Sequence, residues 1–100
     1  MKEYRFLVHE EGDSVGVVTS DLKAGETIIG KNLEKDIEYE IKVLEEIPLG
    51  NKVALKDIKE GEEIIEYGEK IGVATKPIKK GERVHVHNIK SIRWGGKVNE

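Results

Sequence analysis

One phrase, written three times, constrains this chain more than any other feature. Residues 16–26 read G-V-V-T-S-D-L-K-A-G-E, residues 52–62 read K-V-A-L-K-D-I-K-E-G-E, and residues 72–82 read G-V-A-T-K-P-I-K-K-G-E. In each, a short run rich in β-branched residues leads to an apolar residue (Leu22, Ile58 or Ile78), then Lys, one variable residue and Gly-Glu. The glycines Gly25, Gly61 and Gly81 stand 36 and 20 residues apart. A solenoid needs a constant period, so this spacing points to one turn type reused within a single sheet structure. The phrase describes a strand entering a polar turn whose Gly supplies a positive φ that β-branched residues adopt only at a cost. The apolar residue before the Lys points inward and anchors the turn, and the chain leaves as another strand at 26–29, 62–65 and 82–87. Residues 4–9 and 38–44 also read as extended, since Ile37, Tyr39, Ile41 and Val43 alternate with Glu38, Glu40 and Lys42. No stretch of eleven residues carries an apolar stripe at helical spacing, so the predicted class is all-β, with short strands and Gly-rich turns.

Composition sets the outer limits. A chain of 100 residues makes one domain with one modest core. Apolar runs never exceed three residues (6–8 and 53–55), which excludes a membrane-spanning helix and a secretory apolar segment. Without cysteine there is no disulfide framework or thiolate metal site, and the cytoplasm is the expected address. Residues 1–75 carry ten basic and eighteen acidic groups, whereas residues 76–100 carry seven basic and two acidic ones. That positive segment either faces a carboxylate, phosphate or acidic partner, or is a solvated surface. Nucleic acid fits poorly, because the chain is acidic overall and only 5% aromatic.

Candidate chemistry centres on three histidines. In Arg83-Val84-His85-Val86-His87-Asn88 an extended chain would set both imidazoles on one face, about 6–7 Å apart, with Val84 and Val86 buried on the other. Such a pair can converge on a cation, act in proton transfer, or simply line an exposed strand face. His9 ends the first predicted strand, beside Glu10, Glu11, Gly12 and Asp13, whose acids are either metal ligands or turn formers. Gly68 and Gly72 do not make a phosphate loop, since no Gly-Lys-Ser/Thr follows.

The segments K-V-A-L-K-D-I-K-E-G-E-E-I at 52–64, I-I-E-Y-G-E-K-I-G-V-A at 64–74 and G-E-R-V-H-V-H-N at 81–88 resemble the small SAF-type domain of the altronate/galactarate dehydratase family. The N-terminal part, with His9 and Asp13-Ser14-Val15, is similar too, and the likeness weakens across residues 28–48. Small subunits of sulfolactate sulfo-lyases share the pattern. The resemblance implies a β-clip of bent hairpins, expected over residues 1–90, whereas the C-terminal tail at 91–100, which contains Trp94, departs from the family pattern.

It further implies a lyase component that works beside a large catalytic subunit, eliminating water from a sugar acid with a divalent metal, iron being typical. Matched to this chain, the motif residues are His9, Lys52, Tyr67, His85, His87 and Asn88. His85 and His87 are the expected catalytic residues, and with His9 the expected metal ligands. Lys52 and Asn88 are the expected substrate-binding residues, Asn88 also orienting a neighbouring His, while Tyr67-Gly68 sets a turn and packs. Two alternatives stand beside this reading: a non-catalytic SAF module that binds a saccharide or protein, and a sulfo-lyase small subunit acting on sulfolactate. Exposed strand edges would also permit a homodimer.

Overall fold

In the computed structural model, which describes residues 2–91, every copy of the repeated phrase closes the same tight turn. Gly25, Gly61 and Gly81 take φ values of 94°, 86° and 95°. The Glu that follows each Gly folds back, and its Oε1 accepts the backbone N–H of Lys23, Lys59 or Lys79 at 2.9, 2.8 and 2.8 Å. Lys-x-Gly-Glu is therefore a self-sufficient turn. The Gly relieves the backbone, and the Glu occupies a donor that would otherwise point into solvent.

These turns do not stand alone. Leu22 pairs with Ile47 and Ile58 with Ile78 in antiparallel bridges, so two turns meet head to head in each half of the chain. The partner of the first turn is 47–51, Ile-Pro-Leu-Gly-Asn, a fourth copy that lacks the Lys and Glu and so escapes a sequence search. Its Gly50 has φ 86° and donates to the Val18 carbonyl, as Gly25 donates to Val43, Gly61 to Ala74 and Gly81 to Ala54. Asp21 and Asp57 occupy equivalent places, their Oδ1 atoms accepting Leu49 N–H at 2.8 Å and Lys80 N–H at 2.9 Å.

Nine strands connect the turns: β1 (Tyr4–Val8), β2 (Val15–Val18), β3 (Thr27–Asn32), β4 (Glu38–Lys42), β5 (Lys52–Ala54), β6 (Glu63–Glu66), β7 (Glu69–Ala74), β8 (Arg83–Val84) and β9 (Ile89–Ser91). Six form a sheet in the order β4-β3-β1-β2-β5-β8, and three form a second sheet, β6-β7-β9. All pairings are antiparallel except β1 with β3, whose parallel register slips by a bulge between Tyr4 and Phe6. Among the described residues there is no helix, and hence none long and apolar enough to cross a membrane. The all-β architecture of bent hairpins is the one expected.

The single core expected from chain length is instead two clusters. Phe6, Val8, Val18, Leu22, Ile28, Ile41, Val43, Ile47 and Val53 form one. Val15, Ala54, Ile58, Ile64, Ala74, Ile78 and Val84 form the other. Each is headed by its own turn pair, so each half of the duplicated pattern buries its own anchors, and the molecule is drawn out to 46 × 27 × 20 Å.

Two expectations fail at the end of the chain. The strand predicted for 82–87 stops at Val84, and residues 85–88 turn. Val86, expected in the core, is 79% exposed. The cause is Asn88, which is buried: its Oδ1 accepts the His85 N–H at 2.9 Å and its Nδ2 donates to the Arg83 carbonyl at 2.7 Å. This local capture of backbone groups outcompetes a strand ladder. Of the expected tail, Ser91 closes β9, while Trp94 lies outside the described residues.

Candidate functional site

The register of the six-stranded sheet sets His9 and Lys52 on the face that the second sheet covers. Leu7 lies opposite Val17, Val17 opposite Lys52, and Lys52 opposite Val84. Side chains repeat every second residue along a strand, so His9, two residues beyond Leu7, shares this face. Across from it, β6 alternates, burying Ile64 and then Glu66. Glu66 thus carries a carboxylate at a core-facing position, with only 7% of its side chain exposed.

That carboxylate lies between two bases. Its Oε2 is 3.9 Å from His9 Nε2, and its Oε1 is 3.8 Å from Lys52 Nζ. Both distances suit ion pairing but exceed hydrogen-bond length. His9 Nε2 is itself buried and has no hydrogen-bond partner among the described residues.

Tyr67 covers His9. The two rings stack with centroids 3.7 Å apart and an interplanar angle of 17°. To do so Tyr67 adopts φ 58°, the only described non-glycine residue with a positive φ. A bulky residue in this region costs about 1–2 kcal/mol and persists only when its surroundings impose it. Here Asp13 imposes it. Its buried carboxylate accepts the N–H groups of Glu10 at 3.1 Å, Tyr67 at 3.1 Å and Gly68 at 3.0 Å. Beside it Ser14 Oγ accepts the Ile65 N–H at 3.1 Å. Asp13 is thus the turn former among the acids after His9, and it clamps two loops that are distant in sequence.

The expected site residues divide into two groups. His9, Lys52 and Tyr67 come together, joined by Glu66. His85, His87 and Asn88 lie elsewhere: Tyr67-Gly68 opens β7, whereas Asn88 accepts the Thr75 N–H just past its other end. Those ends are about 17 Å apart along the strand. The expected metal trio of His9, His85 and His87 is therefore not gathered, and among the described residues no group of three or more His, Asp or Glu is placed to hold a metal ion. Asn88 spends its amide on the 85–88 turn, which leaves His85, Val86 and His87 exposed. Sequence reasoning missed Glu66 altogether. The signal was there in Glu63-Ile64-Ile65-Glu66, where period-two alternation puts Glu66 on the same face as Ile64.

Comparison with known proteins places this geometry. Residues 4–92 match the family described as the altronate/galactarate dehydratase SAF domain. The chain is 40% identical over 90 residues to the (2R)-sulfolactate sulfo-lyase subunit alpha of Chromohalobacter salexigens, covering 89% of this chain and 96% of that one. It is 36% identical to altronate dehydratase of Bacillus subtilis over 86% of this chain but only 16% of that protein. With galactarate dehydratase (L-threo-forming) of Escherichia coli the identity is 43%, over 74% of this chain and 13% of the enzyme. The chain belongs to the altronate/galactarate dehydratase SAF domain family.

Proposed function

We propose that this chain is the small subunit of a lyase that eliminates water, or an equivalent leaving group, from a hydroxylated carboxylic acid, and that a separate large subunit completes the catalytic site. The same domain matches nearly all of a sulfo-lyase subunit alpha and only 13–16% of two dehydratases. That correspondence carries the reading: a unit of this size serves either as a separate chain or as a small part of a larger one. Sugar acids of the altronate or galactarate type are the first candidates, and the full-length likeness to the sulfo-lyase subunit favours sulfolactate as the second.

Elimination next to a carboxylate builds negative charge as the α-proton leaves, and an acid must protonate the departing group. His85 and His87 are suited to proton transfer because an imidazole exchanges its proton near neutral pH. Their turn, braced by buried Asn88 and open to solvent, presents them to a partner surface. Lys52 is suited to a substrate carboxylate as a charged donor. The described residues do not fit a self-contained metal site. We therefore assign the divalent metal, Fe2+ by the resemblance, to the large subunit, and no step given to this chain passes through it.

The test is co-expression with a dehydratase-type large subunit and an assay on altronate, galactarate and sulfolactate. The pair turns over one of the three, and the isolated chain turns over none. A His85→Ala/His87→Ala double variant folds and assembles but loses turnover. Full activity in that variant refutes the role of the turn, and activity of the chain alone refutes the two-subunit picture.

A further inference from the structure

Resting on this reading of the chain as a lyase subunit, we propose that Glu66 and His9 form a receptor for a single hydroxyl oxygen, held by water in the free subunit and by the substrate's alcohol in the working enzyme.

The first observation is an unmet need. Glu66 is more than nine-tenths buried, yet its carboxylate accepts no hydrogen bond from any described residue, its nearest cations lying at 3.8 and 3.9 Å. His9 Nε2 is buried and equally unpartnered. A buried polar atom left unsatisfied, as His9 Nε2 is, costs about 1–3 kcal/mol.

The second is the size of the gap. Atoms 3.9 Å apart are each about an ångström too far for a direct hydrogen bond, but one oxygen placed about 2.8 Å from both bridges them comfortably.

The third is donor and acceptor count. A carboxylate only accepts and an ammonium only donates, whereas neutral imidazole Nε2 does either, according to tautomer. The bridging atom must therefore donate to Glu66 and accept from His9 Nε2 in the tautomer that carries its proton there. A hydroxyl or a water does both, but a carboxylate or sulfonate oxygen has no proton to give Glu66. The chemistry of the Glu66–His9 pair thus selects an alcohol over the acid group of the same substrate.

The fourth is the wall. Tyr67 is held in a costly conformation whose visible return is the ring that seals one side of His9. Lys52, the other cation near Glu66, has a side chain that is 35% exposed.

Two measurements test this. A crystal structure of the isolated chain, at a resolution that shows single waters, is expected to place an oxygen within about 3.2 Å of both Glu66 and His9 Nε2. Direct closure of Glu66 onto His9 or Lys52, with no oxygen between, overturns the proposal whatever partner the chain has. In the two-subunit enzyme, Glu66→Gln is expected to raise KM for the hydroxy acid tenfold or more while assembly is unchanged. A KM within twofold of the parent overturns the substrate's place in the receptor. Should the unmodified pair fail to assemble or turn over, the lyase reading fails, and the crystal structure decides the oxygen site alone.

Discussion

Replacing Gly81 with Ala should cost far more than the same change at Gly61, although both sit in the same Lys-x-Gly-Glu phrase. Their φ values of 95° and 86° impose a similar backbone penalty on Ala, about 1–2 kcal/mol. Around Gly61 a Cβ meets nothing within 4 Å, so that penalty is the whole effect. At Gly81 the Cβ would stand 2.1 Å from the Lys42 carbonyl oxygen and 3.3 Å from the Leu44 side chain. The obstacle is backbone, so the turn and the end of β4 must move apart by more than an ångström. That movement strains the hydrogen bonds from Leu44 N–H to the Gly81 carbonyl and from Gly81 N–H to the Ala54 carbonyl, both 3.0 Å. Adding about 1 kcal/mol for each to the backbone term brings Gly81→Ala to about 3–4 kcal/mol. A domain of this size is stable by about 5–15 kcal/mol, so Gly81→Ala should remain measurable. Urea unfolding followed by circular dichroism gives both values. If the two variants lie within about 0.5 kcal/mol of each other, the packing of the Gly81 turn against the end of β4 is wrong.

Two further outcomes are expected. Asp13→Asn turns an amide donor toward N–H groups that the carboxylate accepts, costing about 2–4 kcal/mol and shifting the His9 ring resonances as Tyr67 loosens; a loss below about 0.5 kcal/mol contradicts the clamp. Glu62 is held below the ordinary carboxylate value of 4.5, first by the Lys59 N–H and then by Lys56. A depressed carboxylate stabilises the fold above its unfolded pKa, and that contribution disappears as pH falls through its lower folded value. Glu62→Gln should therefore flatten the acid limb of a stability–pH curve below about pH 4.5, and an unchanged limb rejects the assignment.

Much of the fold was legible because the turn is a local object. Lys-x-Gly-Glu completes its own hydrogen bonds within four residues, so three copies could be found and their strands predicted. The copy at 47–51 was hidden because its pairing comes from across the sheet rather than from its own Glu. The 85–88 turn was misread for a related reason. Alternation in Val84-His85-Val86-His87 looks like a strand, but the Asn88 amide gives the backbone a nearer partner than any neighbouring strand does.

By itself, then, the sequence determined what short-range chemistry decides: an all-β chain, the type of its turns, and the anchors Leu22, Ile58 and Ile78, while the resemblance singled out His9, Lys52 and Tyr67 as candidates. Tertiary structure alone decided which of these meet. Glu66 reaches His9 and Lys52 because the second sheet crosses the first at one register, and Asp13 joins loops more than fifty residues apart. Such contacts depend on how two sheets pack, and packing is a property of the whole chain that no local pattern carries.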